Sequence, residues 1–120
     1  MNDEPLPLRD RTKAFALRVV RVYTSLPKSE LARVLGRQLV RSGTSVGAQC
    51  REGYRARSNA EIISKYEAAL QELDETLYWL ELLIESGIVP ARRIEPLMAE
   101  ANEIIAILVT SVRTIKRRSR

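Results

Sequence analysis

Five arginines in the middle of the chain are spaced so that they share one side of a helix. They are Arg33, Arg37, Arg41, Arg51 and Arg55. At 100° per residue they fall within a sector of about 80°, and the row is about 33 Å long. Guanidinium groups form charge-assisted hydrogen bonds with phosphate, so the row suits the backbone of RNA or DNA. Such contacts position a nucleic acid without reading its base sequence.

The charge pattern has a second explanation, which is a solvated surface or ion pairing with an acidic helix. Residues 28–57 carry a net charge of +5, whereas residues 58–87 carry −6. Four carboxylates line one side of that acidic segment: Glu67, Asp74, Glu81 and Glu85. Both explanations stay open for the arginine row.

The C-terminal segment, residues 113–120, is a second basic feature and contains no acidic residue. Its candidate phosphate-binding residues are Arg113, Lys116, Arg117 and Arg118. We expect the last helix to fray beyond Lys116. Aromatic residues are few, and we expect most of them in the core, which does not favour recognition of single strands by stacking.

The sequence offers little for catalysis. Histidine is absent, which removes the commonest general base, and the lone Cys50 has no histidine partner for nucleophilic or zinc chemistry. A phosphate-cradling G-x-x-x-x-G-K-[ST] loop is also absent. The one catalytic arrangement that the sequence leaves conceivable is a carboxylate pair between Glu52 and a glutamate of the following helix. We predict that the protein is not an enzyme and uses no cofactor, metal or small-molecule substrate.

Composition predicts one globular domain over residues 1–120. Hydrophobic residues make up 45% and charged residues 29%, with a net charge of +5. No apolar run approaches the roughly 18 residues that a membrane span needs. The N-terminus lacks the pattern of a secretory signal, and a single cysteine allows no intrachain disulfide. We therefore expect a cytoplasmic protein without membrane contact.

Apolar residues recur at helical spacing and predict four helices, over about residues 10–26, 29–56, 59–86 and 91–116. The boundary signals are Asp10 or Thr12 as first cap, Pro27, Ser29, a Ser58–Glu61 capping box, Gly87 and Pro90. Pro5 and Pro7 place residues 1–8 in a flexible lead. Three short connections predict an all-α, antiparallel up-down-up-down four-helix bundle.

The predicted core surface of the second helix contains Leu31, Leu35, Leu39 and Val46, and that of the third contains Leu73, Leu77 and Leu80. Gly43 and Gly47 lie inside the second helix, where glycine costs roughly 1 kcal/mol relative to alanine. We expect them to allow close approach of another helix. Polar residues beside this core, Ser42, Ser45, Gln49 and Glu52 with Glu72, Glu75 and Thr76, predict a hydrogen-bond network between helices or subunits.

The end of the third helix is apolar almost all the way round. It contains Tyr78, Trp79, Leu82 and Leu83, and the wheel directs Trp79 and Leu83 away from the core stripe. Either the first or fourth helix covers these residues, or they meet another subunit. We predict that they form an oligomer interface.

Four blocks of residues resemble a known family. They are Arg41-Ser-Gly-Thr-Ser-Val-Gly-Ala-Gln49, Glu52-Gly53, Ala56-Arg57-Ser58 and Glu75-Thr-Leu-Tyr-Trp-Leu80. They resemble the four helix bundle protein family, also called the 23S rRNA intervening-sequence protein family, over about residues 15–115. The chain is also similar to the accessory variability protein of diversity-generating retroelements. Many members have Asn-Ile-Ala-Glu-Gly where this chain has Gln49-Cys-Arg-Glu-Gly53.

The resemblance implies a barrel-shaped homopentamer with a basic surface. It also implies a non-enzymatic scaffold that binds RNA or DNA, as an accessory to a reverse transcriptase or to an rRNA-associated element. The alternative is a structural or protein-interaction oligomer without a nucleic-acid role.

Overall fold

The computed structural model of the protein describes residues 7–119, which form four α-helices and no strand. The helices are α1 (Leu8–Ser25), α2 (Glu30–Tyr54), α3 (Asn59–Glu85) and α4 (Ala91–Arg118). The all-α prediction is therefore confirmed for this part of the chain. Most of the predicted lead, residues 1–6, and the terminal Arg120 lie outside the described residues.

Helix ends follow the local chemistry of the sequence at most boundaries. The Ser29 hydroxyl accepts a hydrogen bond from the Ala32 N–H (3.2 Å), and the Ser58 hydroxyl accepts one from the Glu61 N–H (3.2 Å). Gly87 has a φ of 77°, and its N–H donates to the Ile84 carbonyl to close α3. The first cap was predicted wrongly. Helix α1 begins at Leu8 after Pro7 and has no side-chain cap.

Each helix is antiparallel to the one before it, as in an up-down-up-down bundle. Between α1 and α2, Thr12 lies beside Gly47 and Tyr23 beside Gly36. Glu52 of α2 pairs with Lys65 near the start of α3. At the far end of the chain, the Asn59 side chain donates to Ser119 Oγ (2.9 Å). Helices α1 and α4 also touch and close the bundle.

The buried face of α3 differs from the predicted stripe. Its buried residues alternate three and four apart: Ala69, Leu73, Thr76, Leu80 and Leu83. Thr76 belongs to this face because its hydroxyl oxygen is 2.9 Å from the buried Ser42 Oγ of α2 and 2.7 Å from the Glu72 carbonyl oxygen. The Thr76 hydroxyl is therefore buried with its hydrogen-bonding capacity satisfied. Leu77, which the prediction placed in the core, is only half-buried.

Helix α2 is the tightest neighbour of α1. A Cβ added at Gly43 would lie 2.8 Å from both methyl groups of the buried Val19, so the glycine allows the two helices to touch.

The predicted core position Leu31 is instead 52% exposed. The α2–α3 register set by Ser42 and Thr76 places Leu31 level with residues beyond Glu85, where α3 has ended.

Candidate nucleic-acid interface

The outer side of the α1–α2 pair contains an open groove of about 530 Å³ between the two helices. The side chains at its floor are small, because Ala16, Gly47 and Ala48 lie there. Four cations line it: Arg9 and Lys13 of α1, Arg51 of α2, and Arg55, the residue that follows α2. We call these four residues and the space between them the basic groove. On each helix the cations are four residues apart, so their Cβ atoms are about 5–6 Å apart.

The basic groove contains more positive than negative charge. Asp10 lies on its rim, and Glu52 is the other carboxylate that lines it. The Glu52 carboxylate is 3.4 Å from Lys65 Nζ of α3, so its charge is shared with a cation outside the groove. Within residues 7–119, none of the four groove cations has a carboxylate within 4.0 Å.

The predicted arginine row is divided by the bundle. Arg51 and Arg55 lie in the basic groove, whereas Arg33 and Arg37 are exposed near the other end of α2. Arg41 turns toward α3, where its Nη2 donates to Glu75 Oε1 (2.8 Å). The acidic partners of Arg41 are Glu72 and Glu75, and not the four carboxylates that the helical wheel places on one side of α3.

Burial distinguishes Glu72 from its neighbours. Arg41 Nη1 is 3.6 Å from Glu72 Oε2, which is too far for a hydrogen bond, and that buried oxygen has no hydrogen-bond partner among the described residues. Burial and the nearby Glu75 together raise the pKa of Glu72 despite the opposing charge of Arg41. With the Ser42–Thr76 contact, these residues form part of the predicted network between helices. Glu52, which was considered above as half of a carboxylate pair, is instead paired with Lys65 of α3.

The basic C-terminal segment lies at the same end of the bundle as the basic groove. Helix α4 continues to Arg118, two residues beyond the predicted fraying point, and Ser119 then contacts Asn59 at the start of α3. Its four candidate residues are exposed: Arg113, Lys116, Arg117 and Arg118. In the ring of contacts α4 adjoins α1 and α3, so this cluster lies across the bundle from α2.

The predicted oligomer interface is partly used inside the chain. Leu83 is 0% exposed and belongs to the core, so it offers no surface to a partner. Trp79 and Leu82 are half-buried, and Tyr78 is 54% exposed with its ring 5.2 Å from that of Trp79. Trp79 Nε1 is buried and has no acceptor within residues 7–119.

Sequence reasoning missed three residues of the groove region. Arg9 and Lys13 are four apart on α1, so a helical wheel of α1 predicts a shared face but not that this face meets Arg51. Most aromatic residues were expected in the core, but of the six only Phe15 is fully buried, and Tyr54 is 69% exposed at the groove rim. The Arg9 guanidinium carbon lies 5.6 Å from the centre of its ring.

Other chemistry is sparse in the described part of the chain. Cys50 is buried, and burial raises the pKa of its thiol to about 11. Residues 7–119 contain no group of three or more Cys, Asp or Glu side chains placed to hold a metal ion. None of the four helices is both long and apolar enough to cross a membrane.

These observations define a helical bundle with a basic groove between its first two helices. The chain belongs to the 23S rRNA-intervening sequence protein family, whose model matches residues 4–110. It is similar to a crystal structure from Bacteroides thetaiotaomicron, described as a protein with unknown function from the S23 ribosomal protein family. That structure is 37% identical with a TM-score of 0.83, and the match covers 88% of this chain and 98% of the other. No curated protein matches the chain.

Proposed function

We propose that this protein is a non-enzymatic scaffold that binds the phosphate backbone of nucleic acid through the basic groove. The observation that carries the proposal is the convergence of four cations from two helices on one open groove without ion-pair partners in the described chain. The exposed cations at the end of α4 extend the positive surface at that end of the bundle.

Helix electrostatics explain only half of the groove. Arg51 lies in the last turn of α2, where the helix dipole favours a cation. Arg9 lies in the first turn of α1, where the dipole disfavours one. The helix dipole therefore does not account for Arg9, which packs over the Tyr54 ring, whereas an anion bound between the helices would be stabilised by both Arg9 and Arg51.

The test is a salt titration of binding with two charge-matched variants. Fluorescence anisotropy would measure the affinity for a labelled single-stranded RNA and a duplex DNA from about 50 mM salt upward. The double variant R51Q/R55Q removes two groove cations. The control R92Q/R93Q removes two exposed cations from the first turn of α4, at the opposite end of the bundle.

Each lost phosphate contact reduces the slope of log K against log[salt] by about 0.9 for duplex DNA and about 0.7 for single strands. We expect R51Q/R55Q to lower the duplex slope by about 2 and R92Q/R93Q to leave it unchanged. A third variant, R33Q/R37Q, tests whether the distal half of the row contributes. Absence of binding at about 50 mM salt, or equal effects of R51Q/R55Q and R92Q/R93Q, would refute the proposal.

The proposal includes self-association, as a homopentamer by family resemblance. Arg41 of α2 pairs with Glu75 of α3 on one flank of the bundle. Val34 lies seven residues before Arg41 on the same side of α2. Trp79 and Leu82 lie four and seven residues after Glu75 on the same side of α3, so all three apolar residues lie on this flank. Val34 is half exposed on this apolar flank. Light scattering of wild type and of Val34→Asp at micromolar concentration tests this. A monomeric wild type would end the pentamer proposal.

The biological setting follows from family resemblance and is part of the proposal. A cytoplasmic accessory to a reverse transcriptase with its template RNA, or to an rRNA-associated element, would use such a surface. A reverse-transcriptase or rRNA gene beside this one is the observation that separates the two settings. If the salt titration fails while the oligomer is present, the protein is a structural or protein-interaction oligomer.

A further inference from the structure

We infer that the basic groove binds single-stranded nucleic acid and that a base stacks on Tyr54 at its rim. This inference rests on the proposed function and adds the class of nucleic acid to it. It depends on an exposed aromatic residue that lies among cations. This residue departs from the expectation that most aromatic residues are buried.

The geometry around Tyr54 brings an aromatic surface and phosphate-binding groups together. Tyr54 is the last residue of α2, next to Arg55 and three residues after Arg51. It lines the same depression as all four groove cations. Tyr54 as a residue is 69% exposed, and the Arg9 guanidinium carbon lies 5.6 Å from the centre of its ring. A nucleotide whose phosphate enters the groove therefore has a ring within reach of its base.

Burial does not explain why a large aromatic residue occupies this position. The other large exposed aromatic, Tyr78, contacts Trp79 on the apolar flank, where a protein partner is proposed. Tyr54 has charged residues around it: Arg9, Asp10, Lys13, Arg51 and Arg55. A cationic surround opposes an apolar protein partner and favours a polyanion that carries its own aromatic groups.

Stacking on Tyr54 separates single strands from duplexes. In a duplex each base is already stacked between its neighbours, so a side chain gains a base face only by unstacking a step. Single strands present unstacked bases, and aromatic residues beside a basic groove bind them with little sequence preference. A groove that used phosphate contacts alone would not need an exposed ring.

The experiment compares four probes of the same length, about 12 nucleotides. They are oligouridylate, oligothymidylate, an abasic deoxyribose-phosphate tract and a DNA duplex, each measured by anisotropy at about 50 mM salt. The variants are Tyr54→Leu, which removes the ring, and Tyr54→Phe, which keeps it. R51Q/R55Q is measured in parallel and reports on the phosphate contacts alone. Far-UV circular dichroism checks the fold of each variant.

We expect Tyr54→Leu to weaken binding of oligouridylate and oligothymidylate by about 5- to 150-fold, the range measured for loss of one aromatic stacking contact. Its affinity for the abasic tract and the duplex should stay within about twofold of wild type, with unchanged salt slopes, because it removes no charge. Tyr54→Phe should bind all four probes like the wild type.

Three results would overturn the inference. Equal weakening of all four probes by Tyr54→Leu would mean that the ring only positions Arg9. No weakening by Tyr54→Leu, with a clear loss in R51Q/R55Q, would remove the stacking role and leave the phosphate groove standing. Failure of the wild type to bind any probe would overturn both the inference and the proposed function.

Discussion

The contact between Gly43 and Val19 predicts that Gly43 and Gly47, which are four residues apart in α2, respond differently to substitution by alanine. A Cβ at Gly43 would lie 2.8 Å from both Val19 methyl carbons and 3.2 Å from its Cβ. Val19 is fully buried, and a valine in a helix has one strongly preferred rotamer, so it cannot turn away. At Gly47 the nearest atoms belong to Thr12 at 3.5–3.6 Å, which is ordinary van der Waals contact.

The magnitudes follow from two opposing terms. Alanine in place of a helical glycine stabilises a helix by roughly 1 kcal/mol. Forcing an extra methyl group into a packed core costs about 1–3 kcal/mol. Only the first term acts at Gly47, so Gly47→Ala should stabilise the protein by up to about 1 kcal/mol. Both act at Gly43, so Gly43→Ala should be about 1–3 kcal/mol less stable than Gly47→Ala.

Urea unfolding of the two variants at one protein concentration measures this difference, because any oligomer makes stability concentration-dependent. The Val19→Ala change removes the two clashing methyl groups. In a double-mutant cycle it should therefore recover much of the loss in Gly43→Ala. Equal unfolding midpoints for Gly43→Ala and Gly47→Ala, or additive effects of Gly43→Ala and Val19→Ala, would refute the close-contact explanation.

Two further predictions concern titratable groups. Hydrogen bonds from Arg11 (2.8 and 2.9 Å) hold the pKa of Glu100 below its ordinary value of 4.5. The ionised carboxylate therefore stabilises the fold above pH 4.5, and this contribution is lost as the pH falls through the lowered pKa of the folded state. Glu100→Gln should therefore lose less stability than wild type in urea titrations between neutral pH and the acid range, and identical pH profiles would contradict the Arg11–Glu100 contribution. Because burial raises the pKa of Cys50 to about 11, a thiol reagent at pH 8 should label it far more slowly in the native protein than in urea, and equal rates would show that Cys50 is accessible.

The helix ends marked by Ser29, Ser58 and Gly87 could be predicted because their determinants are local. Ser29 and Ser58 cap through an N–H three residues ahead, and Gly87 adopts its positive φ within its own turn. The rotation of α3 could not be predicted from its apolar residues alone. Thr76 is buried because Ser42 of another helix meets it, and Leu83 is buried with the same face. A wheel that counts only hydrophobic side chains places the stripe too far toward Leu77.

The candidate site was predictable to the extent that it lies on one helix. The arginines of α2 do share an exposed side, but ion pairs with α3 redirect Arg41, and the register of α1 decides which others gain cationic neighbours. Arg51 and Arg55 meet Arg9 and Lys13, while Arg33 and Arg37 lie at the far end. These outcomes depend on contacts between residues far apart in sequence.

The small residues of α2 and the basic groove have a common structural origin. Gly47 and Ala48 lie in the groove floor, and an α-carbon without a large side chain at Gly47 lets the backbone of Thr12 approach. This close approach brings Arg9 and Lys13 of α1 toward Arg51 and Arg55 of α2, so that four like charges share one surface. Their mutual repulsion opposes the packing that assembles them, and a bound polyanion would relieve it. The proposed anion binding at the arginines would therefore be coupled to the packing of α1 against α2 through the separation of the two helices.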